Sequence, residues 1–503
     1  MPSPSRLSAH STGARVLRPE WRQGLIGFVI VSAVVPVFFG LIALVEGNSD
    51  GAALCFGGAT AVVTVAIPVF LRPNYDVLEP LTALILMVIV GVGLTSPYIV
   101  FTETAHVEQF MLLGRGRSFL MRPMALIVMG LLGASIGYMF PRRHGGRASV
   151  ARMLSIDWSG GRVAFIVLVL GAVSIVSIIT FVILLSIDVT AAEEISRKRF
   201  YQIEGAETEG SLGYLRWGAR LAQTALFIYL LYRVRTGDSV WHIRSLVVAV
   251  PLLVLTLAIP FLTNSRAPMV MDVAGLVAVL YYSGVRVSTR TLVLGLVAAV
   301  AVFQLMTAFR QQEEVRDLAT LEELGTSVLG SRHFIDITRT AVVVEAIPDD
   351  LEYRYGTTFF AWMLAPVPRS VWPGKPPVGV GKEVARKAFG HNDRRGVPPG
   401  LFGEAVLNFG ALGILPVFFL AGVLMRWAYE AIRPYLRHDA AILIYGSTVH
   451  ISVFYLFNNE VSVFVVRTLI AAIPIVLTLS FLRMTAPRRV TRARRRRRPV
   501  AYA

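Results

Sequence analysis

The stretch GLIGFVIVSAVVPVFFGLIALV, residues 24–45, runs for 22 residues without a charge. An α-helix needs about 20 such residues to cross a hydrocarbon layer roughly 30 Å thick. Apolar side chains surround this helix instead of forming one stripe, so it lacks the polar face of a surface helix. The block is too long for a signal-peptide core and follows a tail of 23 residues, so it reads as an anchored first span.

Working outward from it, comparable blocks recur to the end of the chain. They predict spans at 24–46, 51–71, 78–101, 120–140, 162–186, 212–233, 243–262, 268–284, 291–309, 403–427, 440–457 and 461–482, about twelve helices. The expected organisation is a cytoplasmic tail (1–23), a membrane domain (24–309), a large outer loop (310–402), a second membrane part (403–482) and a basic cytoplasmic tail (483–503). With 55% hydrophobic and 16% charged residues, the 503-residue chain is far more apolar than one soluble core requires. The single cysteine, Cys55, lies inside a span, where core packing is its expected role and no internal disulfide can form.

Charge orients the bundle. With the N-terminus inside, the inner short segments from Arg6 to Arg437 hold 18 arginines. The outer short loops hold only Arg115, Arg117, Arg197, Lys198, Arg199 and Arg266. An even helix count also keeps the tail run Arg494 to Arg498 inside. The net charge of +17 invites a nucleic-acid reading, but no aromatic residues interleave with the tail arginines to stack bases. Topology and anionic lipid head groups account for the tail better, so membrane lipids are expected partners and nucleic acid is not.

The outer loop carries the chemistry. Residues 313–344 show helical spacing, with Arg332, Asp336 and Arg339 on the face opposite Phe334, Ile337 and Ala341. The expectation is an amphipathic helix at the outer membrane surface with a cationic edge, although an ordinary solvated face with an Arg332–Asp336 pair has the same spacing. The apolar part of residues 355–377 is too short to span, and prolines at 366, 368, 373, 376 and 377 forbid a continuous helix, which predicts a re-entrant or flat segment. Arg369 and Lys375 are thereby held in a turn-rich frame suited to an anion. Glu404 and Asn408 are i,i+4 partners at the mouth of the tenth span, where a glutamate is either a candidate base or an N-terminal carboxylate favoured by the helix dipole.

Arg216 and Arg220 in the sixth span, Arg266 before the eighth and Arg467 in the twelfth are intramembrane or interfacial cations. Arg216, Arg220 and Arg266 either snorkel to the outer head groups or converge with Arg369 on a polyanionic lipid head. His450 reads as a core histidine. The acidic Asp349-Asp350-Leu-Glu352 stretch reads as an exposed turn. No phosphate-binding Gly-x4-Gly-Lys loop, His-Glu-x2-His, Cys-x2-Cys pair or Gly-x-Ser-x-Gly is present.

The stretch Ser331 to Leu424 resembles the bacterial oligosaccharide repeat-unit polymerases, the O-antigen polymerase (Wzy-type) family. The resemblance is carried by Arg332-x3-Asp336, Tyr355-Gly-Thr-Thr, Pro368-Arg-Ser-Val-Trp-Pro-Gly-Lys-Pro and Gly403-Glu-x3-Asn-Phe-Gly-x2-Gly, with Asn264-Ser-Arg-Ala before the eighth span. It implies an all-α, GT-C-like polytopic glycosyltransferase with a large periplasmic loop in the bacterial inner membrane. Such an enzyme joins glycan units carried on undecaprenyl diphosphate, donor and acceptor alike, without nucleotide sugar or obligatory metal cofactor. Partners from the polysaccharide export pathway are a further expectation. Because a lipid diphosphate is already a good leaving group, cations and one carboxylate suffice. Diphosphate binding is expected at Arg369, Lys375, Arg266, Arg332 and Arg339, with Arg216 and Arg220 as outer members. Glu404 is the preferred base, with Asp336 or His333 as alternatives. A ligase that transfers a finished glycan and a transporter or flippase are the competing readings.

Overall fold

The computed structural model describes residues 19–101, 117–140, 148–154, 158–187, 215–262, 266–285, 335–367, 371–390 and 396–484, and their regular structure is entirely helical. The N-terminal bundle comprises α1 (Pro19–Val45), α2 (Ser49–Leu71), α3 (Pro80–Phe101) and α4 (Ser118–Met139). Then come α5 (Ala148–Leu154), α6 (Gly160–Ile187), α7 (Leu221–Arg235), α8 (Ile243–Leu262) and α9 (Arg266–Tyr282). The loop region supplies α10 (Ile337–Glu345), α11 (Thr357–Phe360), α12 (Gly381–Lys387) and α13 (Gly400–Phe409). The chain closes with α14 (Ile414–Ile432), α15 (Asp439–Asn458) and α16 (Val461–Met484).

Nine helices among the described residues are long and apolar enough to cross a membrane, so the protein is an integral membrane protein. The expected sixth span appears as α7, preceded by a helical turn over residues 215–219, and the eighth as the 17-residue α9. The expected ninth, 291–309, lies outside the described residues. Much of the apolar surface of α1, α6 and α16 faces outward, including Phe38, Leu168 and Leu477, as lipid-facing helices require.

The helix ends sort into two faces. Arg22, near the start of α1, donates to the carbonyls of Val69 and Phe70 at the end of α2. At this same end Glu79 is fully buried and accepts from Arg72 Nη1 (2.6 Å), Arg426 Nη1 (3.0 Å) and Tyr138 Oη (2.7 Å). Asp76 accepts from Tyr282 Oη (2.9 Å) and Tyr429 Oη (3.0 Å). One short loop thus ties α4, α9 and α14 together through satisfied buried charge. Leu482, near the end of α16, packs in a cluster with Leu436 and Ala440 at this face. The described parts of the 335–409 segment sit at the other face, with α10 against the start of α4. The loop segment and the start of the arginine-rich tail are therefore at opposite ends of the bundle.

Two sequence expectations are corrected. The tenth span does not begin at residue 403: α13 is a separate buried helix, and the spanning stretch runs Ala411–Tyr435. The break falls at Gly410, whose φ of +68° and ψ of −169° only glycine adopts readily. Of the surface helix expected over 313–344, residues 313–334, Arg332 among them, lie outside the described residues; in the remainder Arg339 is buried and forms no exposed cationic edge. Asp336 is an N-cap that accepts from the Thr338 and Arg339 amides (2.9 and 3.1 Å), so α10 starts at Ile337. All of Ile337 and Arg339 to Val344 is buried against α13 and α4, because the loop forms a protein layer of its own.

Candidate functional site

The loop layer is built on α13, whose residues from Gly400 to Asn408 are all buried. Its polar side chains, Glu404 and Asn408, face the Tyr355-Gly-Thr-Thr turn. Arg354 N donates to Leu407 O (2.9 Å), Gly356 N to Asn408 Oδ1 (2.8 Å) and Thr358 Oγ1 to Glu404 Oε1 (2.6 Å). Asn408 Nδ2 donates back to Thr358 Oγ1 (2.8 Å). Two sequence motifs 46 residues apart thus form one interlocked unit, with each buried polar atom answering another.

The start of α16 closes this unit from the other side. Val461 N donates to Glu404 Oε2 (2.7 Å), Trp362 N donates to Ser462 Oγ (3.0 Å), and Ser462 Oγ donates to Thr358 O. Beside it, Glu460 is 2% exposed and accepts from Val380 N (2.8 Å). Burial, opposed by the Thr358 and Val461 donors, raises the Glu404 carboxyl to about 7. Burial, and then the charge of Glu404, raises Glu460 to about 8. The two carboxyls act as a coupled pair.

A cavity of about 440 Å³ opens beneath this layer, between the start of α7, α8, α9, α15 and α16. Arg216, Arg220 and Arg467 line it, with Trp217, Tyr455 and an apolar wall from α16 that includes Ile470 and Pro474. The described lining has no carboxylate. Arg467 stacks over the Tyr455 ring at 4.7 Å from its centroid, which orients the guanidinium. Asp272 is buried behind the lining, where it accepts from Gln223 Nε2 (3.0 Å) and faces the charge of Arg220. Among the described residues, the chamber combines the side chains of Arg216, Arg220 and Arg467 with an apolar stretch of α16. Guanidinium groups beside apolar surface are the chemistry that can receive a polyanion attached to an apolar tail.

Ala365 and Val378 from the loop layer also line the chamber. Lys375 Nζ donates to Ala365 O (3.3 Å) and Val367 O (2.8 Å), binding the two roof segments to each other. The end of α15 joins chamber to layer: Tyr455 lines the chamber, and one turn on Asn458 Oδ1 accepts from Arg339 Nη2 (2.8 Å).

The sequence-selected residues divide accordingly. Arg216 and Arg220, the outer members of the expected diphosphate set, stand in the chamber wall. Arg339 is buried beside Asn458 and Lys375 braces the roof. Arg266 opens α9, two residues before Pro268 of the lining. Among the candidate bases, Glu404 is fully buried with both oxygens bonded, and Asp336 Oδ1 serves the cap and Thr338 Oγ1 (2.6 Å). Arg332, His333 and Arg369 lie outside the described residues, as does the His450 side chain. Cys55 is fully buried in the core, and Asp349 and Asp350 form an exposed turn.

Sequence reasoning noted Arg467 as an intramembrane cation but gave it no site role, and it overlooked Glu460 altogether. The signal for Arg467 was its position inside an apolar span. Glu460 was legible only as an acidic residue in the three-residue gap between the last two expected spans.

Residues 239–456 match the family described as "Putative O-antigen polymerase". No curated protein and no solved structure matches the chain. The matched stretch contains α13, Glu404, Arg339 and Lys375, whereas Arg216, Arg220, Glu460 and Arg467 lie beyond its limits.

Proposed function

We propose that this chain, an integral membrane member of the O-antigen polymerase family by its match over residues 239–456, joins undecaprenyl-diphosphate-linked oligosaccharide repeat units. The reaction takes place at the face bearing the 335–409 segment, which the positive-inside bias assigns to the periplasmic side of the inner membrane. Both termini are then cytoplasmic. The observation that carries this reading is the chamber with Arg216, Arg220 and Arg467 in its wall.

Glycosyl transfer from a lipid diphosphate breaks the bond between the anomeric carbon and the diphosphate oxygen, and negative charge grows on the leaving group. Guanidinium groups fixed in the chamber wall favour that charge most where it is largest, in the transition state. Arg467, oriented by Tyr455, and Arg220, beside Asp272, are held for this role. The apolar wall of α16 accommodates the start of the isoprenoid tail. The acceptor sugar hydroxyl must lose a proton as it attacks. Glu404, with its carboxyl raised to about 7, suits that task once an acceptor hydroxyl takes the place of Thr358 as donor to Oε1.

The test is incubation of purified protein in lipid nanodiscs with a lipid-diphosphate-linked repeat unit. A ladder of products supports polymerisation. A single transfer to a different acceptor lipid indicates a ligase and refutes it, as does the absence of any new glycosidic bond. Arg220→Ala and Arg467→Ala should each lower kcat/KM by about 100-fold, the loss expected when one transition-state donor is removed. Glu404→Gln should abolish extension, and wild-type product lengths in that variant would remove it from the mechanism.

A further inference from the structure

Glu460 stands at the junction of α15 and α16, on the face of α16 that continues through Val463, Arg467, Ile470 and Pro474 along the chamber wall. Its carboxylate meets the backbone of the loop layer at close range. Val380 N donates to Oε2 at 2.8 Å. A Cβ on Gly379 would stand 2.5 Å from Oε2, and one on Gly381 would stand 3.2 Å from Oε1. The segment therefore lies flat on the carboxylate, and the glycine at 379 is what permits it. Val378, the residue immediately before, lines the chamber.

The second roof segment is held in the same way by the neighbouring carboxylate. Glu404 fixes Thr358, Ser462 fixes Trp362 N, and three residues beyond Trp362 comes Ala365 of the lining. Lys375 then links the two segments through Ala365 O and Val367 O. Glu460 immediately precedes α16, which carries Arg467, so a tether at residue 460 sets the roof in register with the guanidinium about two turns along.

We infer that Glu460 is a positioning residue: its buried carboxylate tethers the Val378–Gly381 segment as a roof over the arginine chamber and so fixes how a diphosphate-bearing substrate is seated there. The inference rests on the reading of the chamber as the substrate site only in its last step, because the tether is a property of the chain itself.

Three variants test it in nanodiscs. Glu460→Ala removes the acceptor. Glu460→Gln keeps an acceptor oxygen for Val380 N. Gly379→Ala disturbs the same contact and leaves the carboxylate in place. The first readout is amide hydrogen exchange over residues 376–388. The second is labelling of an Ala471→Cys reporter on the chamber wall by an anionic, membrane-impermeant thiosulfonate, with buried Cys55 as the only native thiol. Glu460→Ala and Gly379→Ala should each speed both about tenfold, and Glu460→Gln should stay within threefold of wild type. With the lipid-linked donor, Glu460→Ala should raise KM about tenfold and change kcat less than threefold. Unchanged exchange or labelling in Glu460→Ala overturns the inference. So does Glu460→Gln behaving as Glu460→Ala, or a loss confined to kcat. If wild-type protein forms no polymer, the polymerase reading falls, while exchange and labelling still decide what Glu460 does.

Discussion

Replacing Thr358 by Val deletes one hydroxyl that serves two buried partners, donating to Glu404 Oε1 and accepting from Asn408 Nδ2. A hydrogen bond to a charged group contributes about 1.5–3 kcal/mol, and a buried amide left without its acceptor costs about 1–3 kcal/mol. Asn408 retains Glu404 O as an acceptor (2.8 Å), which puts the second figure at its lower end. The expected destabilisation is about 3 kcal/mol where Glu404 is ionised. The hydroxyl favours ionised Glu404, so its removal raises the carboxyl further above about 7 and lets a proton relieve part of the loss. If that additional rise is about one pK unit, to about 8, the variant is already half protonated at pH 8 and the cost at pH 5 falls by about 1 kcal/mol relative to pH 8. Unfolding of the detergent-solubilised protein by SDS titration at both pH values measures this. In a Glu404→Gln background the pH difference should vanish. An equal cost at pH 5 and pH 8, or a cost below about 0.5 kcal/mol at both, would refute the interlocked-unit argument.

Both Glu404 and Glu460 have carboxyls raised from 4.5, to about 7 and about 8. Their contribution to stability is therefore complete below pH 4.5 and lost as pH rises through 7 to 8. The Tm should fall between pH 5.5 and 8.5, and the Glu404→Gln, Glu460→Gln double variant should show a flatter profile. Arg426→Met leaves buried Glu79 with one cation instead of two, and a broken buried pair costs about 3–5 kcal/mol. The yield of monodisperse protein should drop sharply and recover in part when Glu79→Gln is added. Gly410→Ala forces a side chain into a backbone region nearly reserved for glycine, at a cost of about 1–3 kcal/mol, read as a lowered Tm and loss of chain extension.

The membrane class was legible in the residues because crossing a bilayer imposes a local rule: about 20 apolar positions in succession, whatever surrounds them. The rule faltered where a helix at the membrane mouth is apolar for another reason. Residues 400–409 read as the beginning of a span, yet they are apolar because protein buries them, and only Gly410 marks the break. The exposed-edge reading of Arg339 in α10 failed likewise. Arg339 looked like a solvated edge, but it lies under Asn458, 119 residues away in the chain.

What the sequence determined by itself is the set of parts: the apolar spans, the charge bias that orients them, the large loop, and the unusual intramembrane arginines. Each follows from composition over a short window, since solvent and lipid act on every segment separately. Only the tertiary structure decided which parts meet. It joined Tyr355-Gly-Thr-Thr to Glu404 and Asn408, set Glu460 under Gly379, and brought Arg467 to Arg216 and Arg220 across some 250 residues of chain. Hydrogen bonds and ion fields act over a few ångströms in space, and distance along the sequence carries no record of that proximity.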